Sequence, residues 1–395
     1  MKGFWYKFRI SRYDIICLSL TLYGLFLRFL ALAKRDLWGD EIFQIHNTLG
    51  SFKPFWQRLA YGDMTSFPGE YLLTYPFVCL FNDNKWPLAI PHIMATLIGF
   101  YFLYVISRRY FKTAIGYLVT FGIMALHVGL IFHSFEFRPY AVLPTLMLVS
   151  FYTADRLFNE FGSLAPKTKL GIAVFYIVTV GYHAFGILIT TLPIIYFYLS
   201  QKWDSFFRID KRFLTFLSCI LVIALPVWIW YSLGPQGGET TAMRVAAGKH
   251  PFEFSPSPLD GFVSFFNRIV LYNLIGYKRL NFLLGIFVIS LFVPYAAKLK
   301  RLGFFLTLIL LPIEIILVAS IMNSYWFLFR QYIFVVPLFA FFLGWLWDSS
   351  VHYYIKYFRQ SNREKLSARS IIGLVLMCGC MLGGLIGWLG HILKG

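Results

Sequence analysis

The feature that most limits the fold of this chain is a succession of apolar runs separated by short loops rich in lysine and arginine. A run of about 20 residues is what an α-helix needs to cross the hydrocarbon of a bilayer. Hydropathy places such spans near residues 14–33, 87–107, 113–133, 139–155, 170–182, 184–200, 213–233, 280–297, 302–322, 332–350 and 370–391. The expected fold is therefore an all-α polytopic membrane protein of about eleven helices, a single domain over residues 1–395. Composition agrees: 58% of residues are hydrophobic and only 14% charged, where soluble domains carry roughly 25% charged residues.

The net charge of +18 would suit a nucleic-acid partner if it formed one patch. Instead the basic residues alternate with apolar runs, the pattern of cytoplasmic loops touching anionic lipid, so no nucleic-acid partner is expected. With the N-terminus inside, 22 of the 36 lysines and arginines fall in inner segments, 13 lie outside, and Arg28 sits within the first span. The excess recurs in every inner loop, which sets the orientation as N-in and C-out. The first span follows Met1–Arg12 without a small-residue cleavage site and is expected to be a retained anchor. Cys17, Cys79, Cys219, Cys378 and Cys380 fall in or beside apolar segments and read as small core residues. No Asn-X-Ser/Thr acceptor occurs, which favours a bacterial inner membrane.

Two outer loops stand out, at residues 34–86 and 234–279. The first holds six of the eighteen carboxylates: Asp36, Asp40, Glu41, Asp63, Glu70 and Asp83. Its apolar positions Ile42, Ile45, Leu49, Phe52, Trp56 and Leu59 recur at steps of three and four, one stripe of interfacial helix interrupted by Gly50. Residues 67–81 are apolar but short and contain Glu70 and Pro76; counting them as a span would invert every later loop. They are therefore placed on the outer side. In the second loop, Ser257-Pro258 starts another amphipathic helix, so two surface helices are expected to roof a membrane cavity.

Five outer features carry candidate chemistry. Asp40-Glu41 opens the first loop, and Asp40 is read as a catalytic base at the membrane surface; a solvated acid beside Lys34 and Arg35 is the plain alternative. Glu70, after Pro68-Gly69, could ligate a divalent cation with Asp40 or Asp63, or simply favour a helix N-terminus. Arg138, in Ser134-Phe135-Glu136-Phe137-Arg138-Pro139-Tyr140, suits a phosphate or forms an ion pair with Glu136. His183 is a site residue or a packing residue. Arg330-Gln331-Tyr332 is a second outer arginine motif or an interfacial anchor. Glu314 reads as buried in mid-span, with no role assigned.

In this order, these features resemble the GT-C superfamily of membrane glycosyltransferases. The likeness is strongest to the branch of the protein O-mannosyltransferases and the aminoarabinose transferase acting on lipid A. Asp40-Glu41, Phe67-Pro68-Gly69, Phe137-Arg138-Pro139-Tyr140, His183 and Arg330-Gln331-Tyr332 stand at that branch's motif positions. Phe67 and Gly69 depart from it, replacing a His or Lys and a second proline. The resemblance implies a sugar carried on polyprenyl phosphate, an outer acceptor hydroxyl or phosphate on a lipid, glycan or protein, and an inverting displacement. It makes Asp40 and Glu41 catalytic. Arg138, Arg330, Tyr332, Arg58 and Lys34 would bind the donor phosphate, and Glu70, Tyr140, His183 and Glu136 would line the site. Glu70 and Asp63 would hold Mg2+ or Mn2+ if an ion is used. A flippase or transporter would instead rely on mid-membrane groups such as Glu314 and Arg28. A polysaccharide polymerase or ligase would put its key residues in the second outer loop.

Overall fold

The computed structural model describes residues 11–61, 67–200, 211–233, 303–315 and 329–360. All regular structure among them is helical. The spans expected at 280–297 and 370–391, residues 316–322 of the span expected at 302–322, the loop at 234–279 and Asp63 lie outside the described residues. Five helical stretches are long and apolar enough to cross a membrane: Arg12–Lys34, Lys85–Tyr110, Pro139–Glu160, Lys211–Tyr231 and Tyr332–Ser349. Their exposed apolar side chains, among them Leu18, Leu22, Phe26, Val222 and Ile223, form the kind of surface that lipid covers.

Helix α1 (Arg12–Lys34) starts at a capping box in which Ser11 and Asp14 exchange side-chain and backbone hydrogen bonds. Each satisfies an N–H group that the first turn leaves without an intrahelical partner. Helices α2 (Gly39–Thr48), α3 (Phe52–Tyr61) and α4 (Pro68–Phe81) fill the first loop, and α5 (Lys85–Tyr110) follows. At one end of the bundle, Asp14 of α1 accepts the Tyr104 hydroxyl of α5 at 2.7 Å. At the other, Lys85 of α5 donates to the Arg35 carbonyl at 2.6 Å. α1 and α5 are thus antiparallel, and residues 35–84 leave and return at the same end. With 14 residues, α4 is about 21 Å long, and both its ends stay at that end.

The expected apolar stripe on α2 and α3 divides in two. Ile45 packs with Val78 and Leu88, and Phe55 and Leu59 pack with Tyr71. Ile42, Phe43, Phe52 and Trp56 face outward. Gly50 causes the division: its φ of 115° turns the chain between the two helices and shifts the phase of the pattern.

The 113–133 run is two helices, α6 (Ala114–Leu126) and α7 (Val128–His133). His127 ends the first by donating its N–H to the Ile123 carbonyl, and its ring Nδ1 accepts the Leu130 N–H at 3.2 Å to start the second. A short 3-10 turn (Pro139–Ala141) leads into α8 (Leu143–Glu160). Then come α9 (Pro166–Tyr182), α10 (Gly186–Ser200), α11 (Lys211–Leu233) and, after a 3-10 turn at Phe329–Val335, α12 (Val336–Gln360). An aromatic core of Phe151, Phe197, Phe304, Phe341 and Phe342 joins α8, α10, α12 and the 303–315 helix.

The basic end of the bundle is tied by acids. Asp348 of α12 accepts the backbone N–H groups of Lys112 and Thr113, and Arg109 pairs with Asp155 and Glu160. Arg28 is buried and donates to the carbonyls of Gly24, Met124 and Ala125. The last two are terminal carbonyls of α6, where a cation complements the helix dipole. Two expectations are corrected. Glu314 is exposed rather than buried, because it lies on the outward side of its helix. Of the described cysteines only Cys17 is in the core; Cys79 and Cys219 are exposed, at apolar positions that face away from the bundle.

Candidate active site

The end of the bundle opposite Arg109 and Asp348 gathers the candidate residues of the first loop and of the turn between α7 and α8. Glu41 organises them. It is 1% exposed and forms an ion pair with Arg35, just beyond α1. The same oxygen accepts the Trp38 N–H at 3.1 Å, and the other accepts the Phe137 N–H at 2.7 Å. Arg35 is itself held between the rings of Phe132 and Phe135. Both oxygens of Glu41 are therefore committed to holding α1, α2 and the 134–138 turn together. The sequence reading assigned this residue to catalysis; the geometry makes it a clamp, since a catalytic carboxylate needs an oxygen open to substrate.

Asp40, one residue earlier, has a side chain 40% exposed, and its carboxylate lies 3.9 Å from the Arg138 guanidinium. Arg138 is buried. Burial opposes its charge, but Tyr140, Tyr71, Asp40 and Glu136 more than offset that and raise its pKa above the usual value. Its Nη1 donates to the Gln44 side-chain oxygen at 3.5 Å, while Nε is buried without a partner. Asp40 and Gln44 are four residues apart on α2 and so share one face of the helix. The alternative pairing of Arg138 with Glu136 is not what the structure contains. Glu136 bonds through one oxygen to His133, and its other oxygen is buried without a partner.

Beneath Arg138 lies a second, fully buried layer. Glu70 accepts from Gln44 Nε2 at 3.3 Å, meets His92 Nε2 at 2.8 Å, and accepts the Tyr182 hydroxyl. The approach of α4 to α9 that makes this possible requires Gly69, where a Cβ would come within 2.5 Å of the Tyr182 Cα. Glu70 therefore belongs to the site, but its oxygens are already engaged by protein donors. Divalent ions of the Mg2+ and Mn2+ type need several free oxygen ligands. Among the described residues no group of three His, Cys, Asp or Glu side chains lies together, and Asp63, the other ligand expected with Glu70, is outside them.

His183 follows α9 and is buried. Its Nδ1 accepts the Phe185 N–H at 3.1 Å, which puts the ring proton on Nε2. Burial, reinforced by the Arg138 charge, pushes its pKa down to about 3, so it is a neutral donor. Tyr140 stacks edge-on against both His183 and His133. Tyr332 is buried, near Phe185. The Arg330 side chain lies outside the described residues. A cavity of about 20 Å³ between Arg28, His133, Ser134 and Tyr140 has room for a single water.

Two expected phosphate ligands stand apart from this cluster. Arg58 donates to the Leu49 carbonyl at 3.3 Å, joining the end of α2 to α3, because its position on α3 points it back at that terminus. Lys34 is exposed at the end of α1, and no described contact links it to Arg138. In their place the fold brings Gln44, His92 and Tyr182, which the sequence reading missed. Gln44 was detectable, being four residues beyond Asp40 on an amphipathic helix. His92 and Tyr182 were not, since nothing local ties an apolar span to Glu70.

The dolichyl-phosphate-mannose-protein mannosyltransferase family is matched over residues 68–230, which include Glu70, His92, Arg138 and His183 but not α2. No curated protein matches the chain. Among solved structures, the apo crystal structure of ArnT from Cupriavidus metallidurans is similar at 16% identity and a TM-score of 0.47, covering 94% of this chain and 64% of that one. The chain thus spans less than two thirds of the length of that protein. The family match, which covers residues 68–230 and so less than half of the chain, makes this stretch similar to the GT-C membrane glycosyltransferases.

Proposed function

We propose that this protein transfers a sugar from a polyprenyl-phosphate donor to an acceptor hydroxyl on the non-cytoplasmic side of a bacterial inner membrane, with inversion at the anomeric carbon. The observation that supports this most is the pairing of exposed Asp40 with buried Arg138, 3.9 Å apart. In the reaction the acceptor oxygen attacks the anomeric carbon and passes its proton to Asp40. The bond from that carbon to the phosphate oxygen breaks, and its electron pair leaves with the polyprenyl phosphate. The growing negative charge needs a fixed cation rather than a proton, and Arg138 supplies one in a site shielded from water. Nε2–H of His183 is a second, neutral donor on the same side. A donor phosphate that engages the guanidinium would free Asp40 to receive the acceptor proton.

The whole chain would act as one domain, with residues 34–86 as the catalytic loop and 234–279 as a second outer loop. The basic end, with Arg109 and Lys112, would face the cytoplasm, as the excess of positive charge in those loops favours. The acceptor would be a lipid, a glycan or a protein.

The test uses purified protein and a panel of polyprenyl-phosphate sugars carrying a radiolabel. Asp40→Asn should lower release of polyprenyl phosphate by roughly 10²–10⁴-fold, the usual contribution of a positioned base, while donor binding persists. Full turnover by that variant would remove Asp40 from the role of base. Failure of every donor in the panel to be consumed would reject the reading as a whole.

A further inference from the structure

Arg138 is held in an unusual way. Its Nη1 end meets a neutral amide, Gln44, at 3.5 Å, while Nη2 faces Asp40 at 3.9 Å and Nε is buried with no partner. A guanidinium binds an oxyanion best along an edge that offers two parallel N–H groups. The Nε–Nη2 edge is one such edge, and among the described residues it is the one left uncommitted to any buried protein acceptor.

The amide of Gln44 is oriented from both sides. Its oxygen faces Arg138 and its nitrogen donates to Glu70 at 3.3 Å, so the opposite orientation would set donor against donor. Glu70 is in turn fixed by His92 of α5 and Tyr182 of α9. Gln44, Glu70 and His92 are all fully buried. The guanidinium is thus tied through one uncharged link to an anchor spanning three helices. The chemistry of the link matters. A carboxylate at position 44 would hold Arg138 equally well but would neutralise it and repel Glu70. An amide positions the cation and leaves its charge to act on a ligand.

We infer that Gln44 is a positioning residue, and that the Glu70–Gln44 link turns Arg138 so that its Nε–Nη2 edge receives the donor phosphate. This rests on the proposed function, because it takes the anion at Arg138 to be the phosphate of a polyprenyl lipid.

The test compares binding of a C55 polyprenyl phosphate with that of the matching polyprenol, using full-length protein in detergent. The wild-type protein should prefer the phosphate. Gln44→Met, similar in size and without an amide, should reduce that preference on the order of tenfold by losing one charge-assisted hydrogen bond, leaving polyprenol affinity unchanged. Gln44→Glu should reduce it at least as far, because it retains the tether and cancels the charge. A purely structural role for Gln44 would weaken both ligands together, so the ratio is the discriminating quantity. If Gln44→Met does not fold, Gln44→Asn, too short to reach both partners, should show the same loss of ratio. An unchanged ratio in a folded variant, with wild-type discrimination intact, overturns the inference alone. Absence of discrimination in the wild-type protein overturns it together with the donor assignment.

Discussion

The Glu41 carboxylate accepts the backbone N–H of Phe137 at 2.7 Å, a contact between residues 96 apart in the chain. Through it, the helix that carries Asp40 determines where Arg138 begins. Asp40 and Arg138, far apart in sequence, are brought together through one residue. Each is set by Glu41, one on the same helix and the other on the turn that Glu41 grips.

Glu41→Ala should therefore be costly in a way that Asp40→Asn is not. It leaves Arg35 without its carboxylate among the described residues and the Phe137 N–H without its acceptor. Breaking a buried pair of this kind costs roughly 3–5 kcal/mol. A clearly lowered midpoint of thermal unfolding in detergent is expected, with Asp40→Asn close to wild type because that carboxylate is well exposed. Equal stability of the two variants would count against the clamp.

Arg58 and Arg138 should behave differently although both are arginines near the same loop. Arg138→Ala is expected to abolish selective binding of polyprenyl phosphate, and Arg138→Lys to recover little of it, since an ammonium has no side-on edge. Arg58→Ala should leave that binding intact and loosen only the α2–α3 junction. A phosphate-binding defect in Arg58→Ala equal to that of Arg138→Ala would restore Arg58 to the site. The readout is the affinity for polyprenyl phosphate relative to polyprenol.

His183 should make the fold sensitive to acid. Its folded pKa, about 3, lies below the ordinary value near 6.5. Between those limits the unfolded chain binds the proton and the folded protein does not. Stability from this residue is thus complete above about pH 6.5 and falls as pH drops toward 3, by at most about 1.4 kcal/mol per pH unit. His183→Phe should flatten the dependence of unfolding midpoint on pH between 6.5 and 4. Parallel profiles for variant and wild type would show that the histidine does not titrate in this way.

Hydropathy and charge along the chain are enough to give the class of fold, the alternation of apolar runs with basic loops, and a set of candidate residues in the outer loops. Those depend on properties that act locally: the length of an apolar run against the thickness of hydrocarbon, the recurrence of lysine and arginine between runs, and a proline-flanked arginine beside aromatic residues. What they leave open is which of two adjacent acids the fold buries. Asp40 and Glu41 are alike in composition and neighbourhood, and only the approach of Arg35 and the Phe137 backbone buries Glu41 while Asp40 stays partly exposed. Tertiary structure also decided that Glu70 joins Gln44, His92 and Tyr182, because the contact depends on α4, α5 and α9 closing over Gly69. Burial and partner geometry are properties of pairs distant in sequence, and a pattern read along one strand of chain carries no record of them.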